Sequence, residues 1–188
     1  MNDPDGWAGN FPVAYWRPGW RQIVTGLAAD IARAGFDGVY LDWVGGFQEE
    51  TVQKAAAKAG LRADDEMASL VQAVRDAGQA VNPDFQIIGQ NAAPLLANPR
   101  YLAAIDAVAH ESIWFTWGGK AKSDCPVPRT HAEADAPAFR ASLSPACRAA
   151  YDADPGSAMR YAGEEVLVPL LKSAQAAGKT IFSVDYTK

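Results

Sequence analysis

Residues 38–44 read GVYLDWV, a short and mostly apolar stretch that carries one acidic residue. Its valines, tyrosine and tryptophan favour strands, and the glycine pair at 45–46 ends the run. A strand this apolar is typical of a parallel sheet whose two faces are both covered by helices. The stretch therefore predicts a buried strand with the Asp42 carboxylate near its carboxyl end.

Strand-like and helical patterns alternate on both sides of this stretch. Apolar side chains recur at helical spacing, which predicts helices over 20–34, 49–59, 64–81, 94–104 and 164–177. Short apolar runs predict further strands over 13–16, 85–92, 107–115 and 180–186. Such alternation indicates βαβ units and a parallel sheet. The predicted fold is α/β, of the (β/α)8 TIM-barrel type, with about five parallel strands present and the barrel incomplete in this chain.

Length and composition indicate a single folded domain. The chain has 188 residues, of which 49% are apolar and 21% charged. These proportions exclude intrinsic disorder as a description of the whole chain. The length predicts one domain over residues 1–188, and the Pro- and Ala-rich residues from about 118 to 156 are interpreted as an irregular insertion in it.

The charge and hydropathy of the chain exclude two classes of partner. The net charge of −5 argues against nucleic acid as the main partner. No window approaches the ~18 consecutive apolar residues that a membrane span needs. We therefore expect neither nucleic acid nor membrane as a partner, and the sequence leaves the oligomeric state open.

The chain holds few residues that bind metals well. It has two cysteines, Cys125 and Cys147, and two histidines, His110 and His131. This small number predicts no metal site and no cofactor. The two cysteines are compatible with a disulfide and with two free thiols, and a disulfide would indicate an oxidising compartment.

Polar side chains lie near the carboxyl ends of four predicted strands. They are Asp42, Asn91, Glu111 and Asp185. Strand side chains alternate between faces, so Tyr40 shares a face with Asp42, and Ile87 and Gly89 would share a face with Asn91. In barrels and in open parallel sheets alike, catalytic and binding groups lie at these strand ends. We therefore expect one functional site at this edge of the sheet.

A pair of carboxylates at strand ends is suited to glycoside hydrolysis. One acid protonates the leaving oxygen, and the other attacks the sugar or activates water. Trp43 and Trp114 lie beside the strand ends, where they would stack on sugar rings or pack under a helix. A Schiff-base mechanism would need a lysine on one of these strands. The strands that end in Asp42, Asn91, Glu111 and Asp185 carry none internally.

Four sequence motifs resemble those of one enzyme family. They are GFDGVYLD at 35–42, NPDFQIIGQN at 82–91, IDAVAHE at 105–111 and AGKTIFSVDY at 177–186. Together and in this order they resemble the endo-α-1,4-polygalactosaminidase family, glycoside hydrolase family 114. The resemblance implies a TIM barrel that hydrolyses an α-1,4-linked galactosamine polymer outside the cytoplasm, in the extracellular space or the periplasm.

The resemblance also implies roles for individual residues. Asp42 falls on the strand-end Asp of the family and would be the nucleophile or a stabilising charge. Glu111 falls on the later catalytic Glu and would be the general acid/base. The side chains expected to bind the polysaccharide substrate are Tyr40, Trp43, Asn91, Trp114, Asp185 and Tyr186.

The chain departs from the family pattern in three respects. Fewer strands are predicted than the eight of a full barrel. The family often has a second acid three residues after the strand-end Asp, where this chain has Gly45. The insertion at about 118–156 matches no part of the family pattern. Two alternatives to a hydrolase therefore remain: a non-catalytic carbohydrate-binding barrel remnant, and a purely structural barrel piece.

Overall fold

A computed structural model describes residues 9–116, 125–153 and 163–187. The chain divides into two compact units, Met1–Ala107 and Val108–Lys188. Four strands form one sheet in the order β1-β2-β3-β6. These strands are Gly38–Leu41 (β1), Gln86–Gln90 (β2), Ala107–Glu111 (β3) and Thr180–Val184 (β6). The α/β prediction is confirmed, with four strands in the sheet rather than about five.

The first unit alternates strands with helices. Its α-helices are Pro18–Arg33 (α1), Glu50–Lys58 (α2), Ala63–Gln79 (α3) and Pro99–Ala104 (α4). Short 3-10 helices, Val44–Gln48 and Ala93–Ala97, follow β1 and β2. Helix α3 supplies much of the core, through Met67, Leu70, Val71 and Val74. Arg21 joins α1 to α3 by donating to the Ser69 carbonyl over 2.9 Å.

The predicted strand at 13–16 is wrong. The Tyr15 N–H donates to the Val13 carbonyl and the Arg17 N–H to the Ala14 carbonyl, which are turn hydrogen bonds rather than sheet pairing. Pro18 then begins α1, a position where the missing N–H of proline costs nothing. The Tyr15 hydroxyl donates to the Ala63 carbonyl over 2.7 Å and ties this turn to α3.

Strands β1 and β2 pair in parallel, and their register fixes which side chains share a face. Leu41 lies beside Gly89 in this register. A Cβ on Gly89 would lie 2.1 Å from the Tyr101 hydroxyl oxygen, so this position faces helix α4. The prediction that Ile87 and Gly89 share the face that carries the site residues is therefore wrong, because that face of β2 is packed against a helix.

Asp106 fastens the start of β3 within the first unit. Its carboxylate accepts two hydrogen bonds from Arg75 of α3, at 2.6 and 3.0 Å, and one from the Ile87 N–H at 2.8 Å. The Asp106 N–H donates in return to the Ile87 carbonyl over 2.8 Å. A bidentate arginine–carboxylate pair has strict geometry, so it holds Asp106 in a fixed place within the first unit.

The second unit contains part of the predicted irregular insertion, and its described residues are largely helical. They form α5 to α7, namely His131–Ala134, Pro137–Ser142 and Pro145–Ala153, and a short antiparallel pair, β4 Phe115–Thr116 with β5 Cys125–Pro126. A π-helical turn, Gly163–Leu167, leads into α8, Val168–Ala176. Residues 117–124 and 154–162 lie outside the described residues.

Cys125 and Cys147 form a disulfide, which decides the question that the sequence left open. The bond joins β5 to α7 and lies in a small apolar cluster with Leu143 and Tyr151, against which Phe139 packs. The rings of Phe139 and Tyr151 meet edge to face, with centroids 6.0 Å apart. Because these helices are short, this cluster and its covalent bond hold them in place.

Loss of this disulfide should destabilise the folded chain. The two cysteines are 22 residues apart, and closing a loop of that size reduces the entropy of the unfolded chain by an amount worth about 3 kcal/mol. We expect the Cys125→Ser/Cys147→Ser variant to lose about that much free energy of unfolding in urea titrations. Equal stability of the oxidised and the reduced wild-type protein would contradict this expectation.

No helix among the described residues is long and apolar enough to cross a membrane.

Candidate active site

Three non-glycine residues of the described chain have positive φ angles, and all three follow strand ends. They are Trp43 after β1, Asn91 after β2 and Ser112 after β3, with φ of 60°, 51° and 58°. Left-handed backbone costs ordinary residues about 1–3 kcal/mol, and such strain clusters at functional sites. A left-handed residue also interrupts the extended backbone, so the alternation of side chains between the two faces of the strand stops there. Each loop therefore leaves its strand in a defined direction.

In the first unit, Asp42 follows β1 directly and its side chain is exposed. The next residue, Trp43, donates its backbone N–H to the Gln90 side-chain oxygen over 2.8 Å. Gln90 ends β2 and is itself buried, with 7% exposure. The β1–β2 register ends at the Leu41–Gly89 pair, and the hydrogen bond to Trp43 brings the Gln90 side chain to the peptide that joins Asp42 to Trp43. Gln90 therefore occupies the place that the sequence analysis had given to Asn91.

Two glycines make room for the residues around Asp42. A Cβ at Gly46 would lie 3.1 Å from the Trp43 ring, and a Cβ at Gly45 would lie 3.1 Å from the Asn91 carbonyl oxygen. Gly45 stands where the family pattern often has a second acid. In this chain a side chain at that position would crowd the backbone of Asn91.

Tyr40 projects from β1 on the same face as Asp42, and 47% of its surface is exposed. The structure thus brings Tyr40, Asp42, Trp43 and Asn91 to the carboxyl ends of β1 and β2. These are four of the eight residues that the sequence analysis selected.

In the second unit, Glu111 is the last residue of β3 and is partly buried. The following Ser112 N–H donates to the Val184 carbonyl over 2.9 Å, which holds this strand end beside that of β6. The single predicted strand over 107–115 is therefore two, because the left-handed Ser112 interrupts it.

Asp185 orders the loop that follows Glu111. One oxygen of its carboxylate accepts the backbone N–H groups of Trp114 and Phe115, over 2.8 and 2.9 Å. The other oxygen accepts the Ser183 hydroxyl over 2.5 Å. The next residue, Tyr186, binds the same loop, because its N–H donates to the Phe115 carbonyl. Glu111, Trp114, Asp185 and Tyr186 therefore gather in the second unit.

His110 lies beneath this site and is 2% exposed. Its Nδ1 is 2.8 Å from the Glu111 carbonyl oxygen, a geometry in which a protonated Nδ1 donates to that oxygen. Burial lowers the pKa of His110 from its ordinary value of 6.5, although the hydrogen bond to Glu111 and the charges of Glu111 and Asp185 oppose the shift. His110 is therefore neutral at pH 7.

The lowered pKa of His110 predicts that the protein loses stability on mild acidification. Below about pH 6.5 the unfolded chain takes up a proton that the folded chain resists. The free energy of unfolding should therefore fall as the pH falls, by up to ~1.4 kcal/mol per pH unit until the folded imidazole also titrates. Urea titrations across this range should show a shallower pH dependence for His110→Gln. An equally steep dependence would contradict the prediction.

The family of this chain follows from comparison with known proteins. A model of the glycoside-hydrolase family GH114 matches residues 1–188. The chain belongs to glycoside-hydrolase family GH114. The family resemblance of the four sequence motifs is thereby confirmed.

Relatives of this GH114 chain occur in distant microbes. It is 40% identical over 112 residues to an uncharacterized protein of Deinococcus radiodurans, a match that covers 60% of the chain and 34% of the relative. It is 31% identical over 94 residues to an uncharacterized protein of Thermotoga maritima, covering 48% of the chain and 27% of that relative. The matches thus span about a third of the curated relatives' lengths.

A solved structure shares the fold of this GH114 chain. The glycoside hydrolase domain of PelA from Pseudomonas aeruginosa aligns with a TM-score of 0.54 and 20% sequence identity, over 91% of this chain and 51% of that one. This likeness supports the predicted barrel-type α/β architecture and says nothing further about the chemistry.

The GH114 chain also has a cavity that the sequence analysis missed. It has a volume of about 280 Å³ and lies in the first unit, among side chains of α1, β1 and α3. The residues that line it are mostly apolar, and Asp42 is the charged residue among them. An apolar lining offers few hydrogen bonds to a sugar. The polar strand ends of each unit, rather than this cavity, therefore carry the candidate site residues.

Among the described residues, no group of three or more His, Cys, Asp or Glu side chains is arranged to hold a metal ion.

Proposed function

We propose that this chain is a glycoside hydrolase that cleaves an α-1,4-linked galactosamine-type polysaccharide with Asp42 and Glu111 as its carboxylate pair. One observation carries the proposal: the left-handed residues Trp43 and Ser112 directly follow these two acids. Catalytic groups of barrels lie at the carboxyl ends of the strands, and strained backbone clusters at functional sites, so both features support this pair. Membership of GH114 supports the same reaction class.

Asp42 and Glu111 have environments that suit different roles. Asp42 is exposed, which favours the role of nucleophile or stabilising charge beside a sugar that becomes oxocarbenium-like. Glu111 is partly buried beside the fully packed His110. A shielded carboxyl group is the better candidate for the general acid that protonates the leaving oxygen.

Aromatic and polar side chains around the two acids would bind the sugar chain. Tyr40 and Trp114 are 47% and 41% exposed, so their rings are available for stacking. Asp185 holds the backbone of Trp114 in place. We propose that Tyr40, Trp43, Asn91, Trp114, Asp185 and Tyr186 contact the polysaccharide. The net charge of −5 would favour a polymer that carries protonated amines.

The proposed place of action is outside the cytoplasm, in the periplasm or the extracellular space. The disulfide between Cys125 and Cys147 supports this place, since such bonds persist in oxidising compartments.

The reaction can be tested with three polymers and the purified oxidised chain. The polymers are α-1,4-linked galactosamine, its fully N-acetylated form, and β-1,4-linked glucosamine, which matches the first in charge but not in linkage. We expect new reducing ends and short oligomers, by mass spectrometry, from an α-1,4-linked polymer only. Tight binding without cleavage would favour a carbohydrate-binding remnant, and the absence of both would reject the sugar hypotheses.

A further inference from the structure

We propose that Gln90 is a positioning residue that sets the direction of the Asp42 carboxylate. The proposal rests on the proposed function, because it assigns Gln90 a part in the same reaction. The sequence analysis did not select Gln90. It treated Asn91 as the last residue of the strand and assigned the side chains to the two faces of the sheet from there.

The first step of the argument is the face on which Gln90 lies. The register pairs Tyr40 with Ile88 and Leu41 with Gly89. Gly89 faces helix α4, so Gln90 faces the opposite side of the sheet, beside Asp42. A glutamine with 7% exposure at the end of a strand is unusual, because buried polar groups are costly unless they are hydrogen-bonded.

The second step is the hydrogen bond that Gln90 makes. Its side-chain oxygen accepts the backbone N–H of Trp43 over 2.8 Å. That N–H belongs to the peptide group that joins Asp42 to Trp43. Holding this peptide plane fixes the backbone rotation at Asp42, and with it the direction of the Asp42 Cα–Cβ bond.

The third step is the strain that the hydrogen bond offsets. Trp43 has left-handed backbone, with φ of 60° and ψ of 41°, which a residue with a bulky side chain rarely adopts. Gly46 leaves room for the Trp43 ring, and Gln90 accepts the Trp43 N–H. Both the ring and the N–H therefore have a defined place. Without the Gln90 acceptor, the peptide would be free to rotate toward an unstrained conformation.

The test replaces the acceptor while keeping the size of the side chain. Gln90→Met should lower kcat roughly 10- to 100-fold with KM little changed, since a small displacement of a reacting group has effects of this order. The Trp43 amide proton should exchange with solvent faster, as measured by NMR. Gln79→Met is the matched control, because the Gln79 side chain on helix α3 also bonds to the backbone, as a donor to the Phe85 carbonyl. It should change neither quantity.

A second variant separates the hydrogen bond from the charge. Gln90→Glu keeps an acceptor, so Trp43 amide exchange should stay slow. It adds a negative charge beside Asp42, which disfavours the ionised form of that acid, so the acidic limb of the pH–rate profile should move to higher pH. The shift of this limb reports how close the two side chains lie, whereas the exchange rate reports the hydrogen bond.

Normal Trp43 amide exchange and normal kcat in Gln90→Met would overturn the proposal, as would fast Trp43 amide exchange in Gln90→Glu. An inactive wild-type chain would instead overturn the proposed function. In that case the exchange rate of the Trp43 amide still decides whether Gln90 fixes this peptide.

Discussion

Glu111→Gln should lower kcat on the galactosamine polymer by roughly 10²- to 10⁴-fold, the usual contribution of a general acid. An amide of the same shape accepts hydrogen bonds but cannot deliver a proton to the leaving oxygen. The loss in kcat/KM should nearly vanish for an aryl glycoside whose leaving group needs no protonation, because the first step then needs no acid. Initial rates on the polymer and on such an aryl glycoside measure the difference.

Glu50→Gln is the matched control for this substitution. Glu50 forms an exposed surface pair with Lys54, and such pairs contribute little to stability. Its variant should behave as the wild type on both substrates. An equal loss of kcat/KM for Glu111→Gln on both substrates would show that Glu111 is not the general acid.

Asp42→Asn should lower kcat on the order of 10³-fold while leaving the unfolding midpoint unchanged. The substitution removes the negative charge that stabilises a cationic sugar or forms a covalent bond to it. Asp42 is exposed, and its backbone is held through Gln90 rather than through its own carboxylate, so the fold should be unaffected. Steady-state rates and urea titrations on the same sample check both parts.

Azide distinguishes the two roles open to Asp42, which are a nucleophile and a stabilising charge. If Asp42 is a nucleophile, azide should restore sugar release by the Asp42→Asn variant and yield a glycosyl azide. Asp84→Asn, which alters an exposed acid in the turn before β2, is the control and should retain full activity. Wild-type turnover by Asp42→Asn would reject the assignment of this residue.

Much of the fold is predictable because local patterns agree with the final packing. The apolar stripe of residues such as Leu70 and Val74 predicts α3, and both side chains are buried in the core. The strands predicted to start at Gly38 and Phe85 start at Gly38 and Gln86 in the structure. In these segments the local preference and the tertiary environment favour the same structure.

Long-range contacts explain where the sequence prediction fails. Asp64 is a good candidate for a helix N-cap, yet α3 begins one residue earlier, after Arg62, without a side-chain cap. Arg62 instead pairs with Asp64 and Asp65, which occupies their carboxylates. At Val13 and Tyr15 a strand-like composition gives way to a turn that is anchored to Ala63, 48 residues away from Tyr15.

The insertion shows a second limit of local reasoning. Its prolines and its mixed composition predict irregular structure over about 118–156. Pro137 and Pro145 instead begin helices α6 and α7, where proline is well tolerated. Each helix is too short to form alone, so no local signal predicts it. The disulfide and the cluster around Leu143 supply the missing stability.

The sequence predicts the candidate residues at the strand ends, but it does not predict the part proposed for Gln90. Acids near the ends of apolar strands identify Asp42 and Glu111 from sequence. Gln90 was missed because the strand alternation was extended through Asn91, where the backbone is left-handed. The pair Gln-Asn at 90–91 contains the signal, but only the register with β1 shows which of the two lies beside Asp42.

The backbone at Trp43, Asn91 and Ser112 has a practical consequence for protein engineers who wish to change substrate preference by grafting loops from other GH114 members. Each graft has to begin after the left-handed residue. That position has to keep a residue that tolerates a positive φ angle, such as asparagine or glycine, and never valine or isoleucine. A junction placed one residue earlier would rotate the whole transplanted loop, however well its own sequence suits the new sugar.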